Sequence, residues 1–543
     1  MKAINFFKKK FFLFIFFIYF FIGISIVEDY GISIDEEFQR FSGFYWLCYV
    51  LEFLPFDNVR IDALNKLNDI QGLTLPNPKD FPFYGVVFDL PLAFLETIFK
   101  IDSSKSYFLL RHQATFIIFF ISAIYFYLII KSRFKNKIVI FFGLLLYVSS
   151  PRIFGDSFYN NKDLIFLSLV TVSLYYFFKA INNLNNKNVI LFSFFAALTS
   201  ALRILGLFLP ITFLIFLILQ KSSYKKKIFS FSLLLIFFLS FLILLWPYLW
   251  SSPFNNFLYS FNIFSKYIIE IQMLFNGDYI YSNRLPMSYL PVWILITTPL
   301  ITLFLFIYGY ICLLKRLCSR ILQVKDDVPF NDFWRSKNEK KDLIIFFIFN
   351  SIFFYIILSS TVLYTGWRHL YFLHSFMIYL GCVGLSLINI NFKNTKIIFT
   401  SIGILILFTF YEIVKYHPFQ SLYFNQLIQK TKKKDFEIDY WGLAGNQFLK
   451  EILALEGSGK RINIGVASYI PLERSIKLLD DNEKKLINIV GQEYEKAKYI
   501  FNNNLSEVNK LKNKKYLIPS NFKKISDYSI NDFIVYELYK KIN

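Results

Sequence analysis

Long apolar runs separated by short polar segments dominate the first 414 residues of the chain. These runs show neither the alternation of a half-buried strand nor the two-faced pattern of a surface helix. About 20 apolar residues suffice for a helix to cross a bilayer. The runs lie at residues 11–27, 107–130, 138–149, 164–178, 189–202, 204–219, 228–249, 291–314, 343–362, 370–388 and 397–414. They predict an α-helical polytopic membrane protein with about eleven transmembrane helices.

Basic residues in the connecting loops predict the orientation of these helices. The loops rich in Lys and Arg lie at 131–137, 179–187, 221–227, 315–341 and 393–396, and the alternate loops are poor in both. With eleven spans, all the basic loops share one side with the N-terminus, as the positive-inside rule requires of the cytoplasmic side. The first run has no small-x-small cleavage signal, so we expect an uncleaved span with a cytoplasmic N-terminus. Several runs are short for a straight span, 138–149 most of all, so some helices are expected to be recessed or flanked by ordered polar turns.

Two segments outside the spans are long enough to hold structure of their own. Residues 28–105 form a long first outer loop, in which 81–99 is apolar but interrupted by prolines and is expected to lie in the membrane interface as short amphipathic helices. Residues 415–543 have the composition of a soluble domain. We predict there a small α/β domain on the outer side, with a helix at 439–455 and strands at 461–467, 498–501, 514–518 and 532–538. The chain thus divides into a transmembrane domain, 1–414, and a C-terminal domain, 415–543.

Composition agrees with a membrane protein and argues against nucleic-acid binding and against a disulfide framework. The chain has 543 residues, 55% hydrophobic and 21% aromatic, as suits a membrane protein. The net charge of +21 does not indicate nucleic-acid binding, because much of it lies in the basic loops that set orientation. The four cysteines include no pair at metal-ligand spacing and lie mostly in apolar runs, so a disulfide framework is not expected.

Ionisable residues gather on the predicted outer face. The segment 149–163 places several of them between two apolar segments, where a charged side chain needs water, a partner or a ligand. The same face also carries residues from distant parts of the chain. The full set is Asp35, Glu36, Glu37, Arg152, Asp156, Lys162, Asp163, Arg203, Asp278, Arg284, Arg368, His369 and His417. Carboxylates beside Arg and Lys suit a substrate that has a phosphate and a group to be deprotonated.

Each of these residues also has a structural explanation. Segment 149–163 could be a solvated loop, and Asp35 could cap a helix. Arg203 could extend to lipid headgroups, and Arg368, which follows a tryptophan, could anchor the interface. The two histidines His374 and His417 could be satisfied structural residues.

Six motifs, in order along the chain, resemble those of bacterial integral-membrane glycosyltransferases of the GT-C type. The nearest branch is glycosyltransferase family 39, with the protein mannosyltransferases and the lipid A aminoarabinose transferase. The motifs are Asp35-Glu36 after the first span, Ser-Pro-Arg-Ile-Phe-Gly-Asp-Ser-Phe-Tyr-Asn-Asn-Lys-Asp at 150–163, Arg203 followed by Gly206, Arg-His-Leu-Tyr at 368–371, Tyr-His-Pro-Phe-Gln-Ser-Leu-Tyr-Phe-Asn at 416–425 and Asp-Tyr-Trp-Gly-Leu at 439–443.

The resemblance implies a substrate class and a location. The donor would be a sugar on a polyprenyl phosphate, and the acceptor a protein, lipid A or another glycolipid. Transfer would occur on the periplasmic side of a bacterial inner membrane.

The resemblance also implies site residues. The essential acid of the first outer loop maps to Asp35, with Glu36 beside it. A second acidic position maps to Asp163 or Asp156. Asp163 is favoured, because relatives more often have histidine at the position of Asp156. The cationic positions that would bind the donor phosphate are Arg152, Lys162, Arg203, Arg368 and His369. The resemblance identifies no definite cofactor, and a divalent cation, Mg²⁺ or Mn²⁺, between Asp35 and Asp163 is left open.

Under this interpretation the reaction is a single displacement. Asp35 accepts the proton of an acceptor hydroxyl, the phosphate leaves among the cations, and the anomeric carbon inverts. Two alternatives remain: a polytopic transporter or lipid-linked sugar flippase, and a family member that only binds the sugar-lipid. Transporters place ionisable residues near the midplane and often contain internal repeats. This chain shows no repeat, and its charges lie near the outer ends of spans.

Overall fold

The structure, a computed structural model, describes residues 2–71, 75–265, 270–322, 333–359, 361–391, 394–457, 461–469, 471–503, 514–531 and 533–542. The part up to Lys415 is mostly helical. Its helices are α1 (Lys2–Ser25), α2 (Glu36–Leu51), α3 (Asp57–Gln71), α4 (Asp89–Ile98), α5 (Ser104–Arg133), α6 (Lys137–Val148), α7 (Pro151–Tyr159), α8 (Asp163–Asn183), α9 (Asn186–Leu202), α10 (Phe208–Leu219), α11 (Tyr224–Leu245), α12 (Pro253–Ser265), α13 (Tyr289–Thr297), α14 (Leu300–Leu322), α15 (Lys337–Leu358), α16 (Leu373–Asn391) and α17 (Thr395–Lys415). A short antiparallel hairpin, β1 (Gln272–Phe275) and β2 (Asp278–Tyr281), precedes α13.

The predicted membrane architecture is confirmed. Within the described ranges, eight helices are long and apolar enough to cross a bilayer, and α6 with α7 makes a ninth if the bent pair counts as one span. Two shorter apolar helices, Asn186–Leu202 and Ile204–Leu219, correspond to two further predicted runs. The protein is therefore a polytopic helical membrane protein.

The shortest predicted run is completed by a second helix. Helices α6 and α7 meet at 57°, and Pro151 occupies the first turn of α7. Proline lacks an N–H and disfavours helical backbone in the residue before it, so the chain breaks here and a new helix begins. All nine residues of α7 are buried, including Arg152 and Asp156.

A second break places Arg203 at the end of a helix. Arg203 has extended backbone after α9, and a short 3₁₀ helix, Ile204–Leu207, leads into α10. Gly206 allows this close turn, since a Cβ there would lie 2.8 Å from the backbone nitrogen of Ser200. Arg203 therefore lies at a helix end and not inside a continuous apolar run.

The first outer loop folds into a small helical layer. Helices α2, α3 and α4 share a core that includes Phe44, Leu47 and Ala93. Of the short amphipathic helices predicted within 81–99, the structure has one α-helix, α4. Arg40 of α2 pairs with Glu96 of α4, and its guanidinium lies 3.7 Å from the ring centroid of Tyr107. These contacts hold α2, whose N-terminus carries Asp35.

Where the structure describes it, the part after Lys415 contains a mixed sheet and three α-helices. The order in the sheet is β4-β3-β5-β7-β6, with β3 parallel to β4 and β5, and β7 antiparallel to β5 and β6. The elements are α18 (Ala444–Glu456), β3 (Ile462–Val466), α19 (Glu473–Ile476), α20 (Asp481–Leu486), β4 (Ile487–Gly491), β5 (Tyr499–Asn502), β6 (Phe522–Ile530) and β7 (Phe533–Lys541).

Some local predictions for this part were wrong. The structure has no strand at 514–518, a range it describes in full; it has a short 3₁₀ helix there, Lys514–Tyr516. The helix predicted from 439 begins at Ala444, because Asp439 and Gly442 have φ of +46° and +72° and form a turn. Strand β6 was missed because its sequence is polar and most of its residues are partly or fully exposed.

Candidate functional site

Four predicted site residues form one ion-paired group, the ion-pair cluster of Asp35, Asp163, Arg203 and Arg368. Nη1 of Arg368 donates to Oδ2 of Asp35 at 3.0 Å and to Oδ2 of Asp163 at 3.4 Å. Arg203 pairs with the other oxygen of Asp163. Asp35 precedes α2, Asp163 begins α8, Arg203 follows α9, and Arg368 lies in a short 3₁₀ helix before α16. Four distant segments thus meet at one end of the helix bundle.

The two carboxylates of the cluster differ in exposure. The side chain of Asp35 is 39% exposed, whereas that of Asp163 is 0% exposed. Besides its two arginines, Asp163 accepts a hydrogen bond from Nδ2 of Asn160 at 3.0 Å. Asp163 therefore serves as a buried counter-ion, and Asp35 is the carboxylate that a ligand can reach.

Lys162 and His369 border the cluster. The ammonium group of Lys162 lies 4.1 Å from the ring centroid of Tyr84, a residue of the first outer loop. The His369 ring meets Tyr364 edge-on at 4.5 Å. Burial lowers the pKa of His369 well below its usual value, and the charge of Arg368 adds to this effect. His369 is therefore neutral at pH 7, so it can offer a phosphate a hydrogen bond but no positive charge.

Arg152 and Asp156 are buried beside the cluster and contact other residues. Nε of Arg152 donates to the carbonyl of Tyr423 at 2.9 Å, and its guanidinium lies 4.8 Å from the ring centroid of Phe424. Asp156 accepts from the Tyr159 hydroxyl at 2.8 Å and from Asn160 at 3.1 Å. Arg152 thus packs on the 416–425 motif and makes no ion pair with Asp35 or Asp163.

Glu36, predicted beside Asp35, has a different environment. Its carboxylate is fully buried and accepts from Nε2 of His112 at 2.9 Å and from the Ser33 hydroxyl at 3.1 Å. His112 belongs to α5. The contacts of Glu36 therefore attach α2 to a membrane helix.

The position of Arg368 bears on the possible divalent cation. Nη1 of Arg368 lies between the Oδ2 atoms of Asp35 and Asp163, and Arg203 pairs with the other oxygen of Asp163, so both oxygens of Asp163 already contact a cation. In the parts of the chain that the structure describes, no group of three or more His, Cys, Asp or Glu side chains is placed to hold a metal ion. The residues present do not fit a metal between these carboxylates.

Four contacts made by the C-terminal part, two by Trp441 and two with Glu37, were not predicted from the sequence. The guanidinium of Arg368 lies 4.6 Å from the ring centroid of Trp441, and the carbonyl of Trp441 accepts from the backbone N–H of Ile34 at 3.1 Å. Glu37 pairs with Lys477 and with Nε of Arg474. The C-terminal part therefore holds the chain on both sides of Asp35. The sequence analysis singled out the 439–443 motif, but it could not show that this motif contacts Arg368 and the segment before Asp35.

We expect Glu37→Gln to lower the thermal stability of the protein, because breaking this partly buried pair costs about 3 kcal/mol. Burial acts to raise the pKa of Glu37, but the charges of Lys477 and Arg474 outweigh it and hold the pKa below its usual value. The stabilisation is therefore present at neutral pH and is lost as the pH falls through the pKa of the folded state. Thermal unfolding in detergent between pH 3 and pH 7 measures this.

A matched control is Asp480→Asn, which removes a more exposed pair with Lys105 that also joins the first outer loop to the C-terminal part. Exposed pairs contribute about 0–1 kcal/mol, so its effect should be small. Equal effects of the two substitutions would argue against a special role for Glu37.

Comparison with known protein families supports a glycosyltransferase. Residues 91–246 match the family model described as dolichyl-phosphate-mannose-protein mannosyltransferase. The matched segment contains Arg152, Lys162, Asp163 and Arg203, whereas Asp35 and Arg368 lie outside it. No curated protein matches the chain. The match confirms the resemblance to GT-C glycosyltransferases and supports a membrane glycosyltransferase.

Proposed function

We propose that the protein transfers a sugar from a polyprenyl-phosphate donor to an acceptor hydroxyl in a single displacement that inverts the anomeric carbon. The observation that carries the proposal is the asymmetry of the two carboxylates bridged by Arg368. Asp35 is 39% exposed, while Asp163 is fully buried and paired with two arginines. Asp35 is thus available to react with a substrate, and Asp163 holds Arg203 and Arg368 in position.

The charges of the site favour an anionic ligand. Lys162, Arg203 and Arg368 gather around Asp35 and Asp163, and the buried Asp89 also acts on Lys162. Three cations in one place suit a phosphate, because charge-assisted hydrogen bonds to its oxygens are strong. Guanidinium groups bind phosphate oxygens in pairs, which makes Arg203 and Arg368 suitable partners.

The same arrangement supports a role for these residues at both the acceptor hydroxyl and the leaving phosphate. Asp35 accepts the proton of the acceptor hydroxyl as its oxygen attacks the anomeric carbon. The bond to the phosphate breaks, and Lys162, Arg203 and Arg368 stabilise the charge that develops on the leaving oxygen. Retention would need a second accessible carboxylate as a nucleophile. Asp163 is saturated by its partners and cannot serve, which favours one displacement with inversion.

We infer the location from the distribution of basic loops. These loops lie at the end of the bundle assigned to the cytoplasm, and the ion-pair cluster lies on the opposite, periplasmic side of a bacterial inner membrane. The C-terminal part, 415–543, would lie on the same side as the cluster. The acceptor would then be a protein, lipid A or another glycolipid exposed there.

An assay with purified protein in detergent tests the proposal. Radiolabelled polyprenyl-phosphate sugars are supplied one at a time with a crude membrane extract as acceptor. We expect one of them to transfer label to the acceptor, with release of polyprenyl phosphate. A sealed-vesicle assay addresses the flippase alternative. Movement of intact sugar-lipid between leaflets, without release of polyprenyl phosphate in either assay, would favour the flippase.

A further inference from the structure

Three buried polar groups next to the ion-pair cluster have no hydrogen-bond partner among the described residues. They are Nη2 of Arg152, the hydroxyl of Tyr440 and Oε2 of Glu437. Arg152 and Tyr440 are 3% and 7% exposed. A buried polar group without a partner costs free energy, so each such group calls for a ligand or an ordered water.

These groups belong to one region. The ring of Tyr440 lies 5.2 Å from that of Trp441, which in turn covers Arg368 of the cluster. Asp156, Arg152, Arg368 and Glu437 are all near enough to act electrostatically on the Tyr440 hydroxyl when they are charged. Tyr440 therefore lies near both the cluster and Arg152. We call the region formed by Arg152, Glu437 and Tyr440 the second polar region.

Aromatic side chains enclose the second polar region. The guanidinium of Arg152 lies 5.3 Å from the ring centroid of Trp293, and Trp293 packs on Phe436 at 5.2 Å, one residue before Glu437. Sites of this composition, with mainly aromatic walls and a few convergent polar groups, are typical of small-ligand pockets.

The chemistry of the three groups fits hydroxyls better than a second phosphate. Arg152 offers N–H donors, and the Tyr440 hydroxyl both donates and accepts. Burial raises the pKa of Glu437 to about 8, although the charge of Arg368 opposes the shift. Glu437 is then a neutral carboxyl at pH 7, which also donates and accepts. The flat aromatic faces suit the apolar face of a sugar ring.

We propose that the second polar region binds the sugar ring of the donor, with Arg152, Glu437 and Tyr440 bonded to its hydroxyl or amino groups. The proposal rests on the function proposed above, because it takes the donor phosphate to lie at Lys162, Arg203 and Arg368. A sugar joined directly to that phosphate reaches the neighbouring region. Residues from the C-terminal part thereby determine which sugar is accepted.

Direct binding to detergent-solubilised protein tests this without requiring catalysis. The probes are bare polyprenyl phosphate and polyprenyl phosphate carrying glucose, mannose, galactose or an amino sugar. We expect wild type to bind at least one sugar-linked form tenfold or more tightly than the bare phosphate. Tyr440→Phe and Glu437→Leu, each of which removes the hydrogen-bonding group, should abolish this preference and leave binding of the bare phosphate unchanged. Equal binding of all probes by wild type, or an unchanged preference in both variants, would overturn the proposal.

Control variants separate the proposed sugar site from the proposed phosphate site. Tyr494→Phe removes a buried hydroxyl from the same part of the chain, one that bonds the carbonyl of Lys515 at 2.7 Å, and should not alter the preference. Arg203→Ala should weaken binding of every probe, including the bare phosphate. Failure of the bare phosphate to bind wild type would contradict the phosphate site. If wild type binds the bare phosphate but binds no sugar-linked probe more tightly, only the role of the second polar region is contradicted.

Discussion

Replacing Asp35 by asparagine abolishes sugar transfer and leaves the protein folded and inserted. The amide cannot accept the proton of the acceptor hydroxyl, and general-base catalysis contributes about 10²- to 10⁴-fold to a rate. The substitution is nearly isosteric, and the side chain is 39% exposed, so little packing is lost. The measurement is the rate of polyprenyl-phosphate release by purified protein, together with its size-exclusion profile in detergent.

Asp29→Asn is the matched control for this experiment. Asp29 is also an exposed outer-loop aspartate, paired with His417 at 2.8 Å and outside the ion-pair cluster. Its substitution should leave the rate close to that of wild type. Full activity in Asp35→Asn would remove Asp35 from the catalytic role.

Replacing Arg368 by alanine should destroy both activity and stability. Arg368 is 5% exposed and bridges Asp35 and Asp163, so its loss leaves Asp163 with Arg203 as its remaining arginine partner. Breaking a buried pair by removing one partner costs about 3–5 kcal/mol. The loss also removes a cation proposed to hold the leaving phosphate. Thermal unfolding in detergent and the rate of transfer measure the two effects.

Arg368→Lys separates stability from catalysis. Lysine keeps the charge but cannot reproduce the planar guanidinium that contacts both carboxylates, so we expect partial recovery of stability with a low rate. Arg284→Ala, at an exposed arginine assigned to the same side of the membrane, should change neither. A stable and fully active Arg368→Ala variant would contradict the proposed role of the cluster.

The sequence predicted the membrane architecture because the apolar runs are long and rarely interrupted. It also predicted that α6 would be too short to span alone, and the structure completes that segment with α7 after Pro151. Asp163 and Arg203 could be singled out because each lies where an apolar run begins or ends. The sequence shows that these residues lie at the ends of apolar runs. Because the runs become transmembrane helices, residues at their outer ends lie at a similar depth in the membrane.

The partners of these residues could not be predicted. Arg368 is 333 residues from Asp35, and only the tertiary packing brings them within 3.0 Å. Glu36 follows Asp35 directly, yet one helical step turns its side chain toward His112 of α5. The contact of Trp441 with Arg368 depends on how the C-terminal part docks, which no local pattern encodes. The catalytic and phosphate-binding roles of these residues remain predictions.

The anomeric configuration of the product tests the central claim most directly. A polyprenyl-phosphate sugar of known configuration is turned over by wild type, and the new glycosidic linkage is assigned by nuclear magnetic resonance while released polyprenyl phosphate is counted. We expect the inverted configuration and one polyprenyl phosphate per sugar transferred, because Asp35 is the accessible carboxylate of the cluster. A retained configuration, or transfer without release of polyprenyl phosphate, would contradict a single displacement at this site.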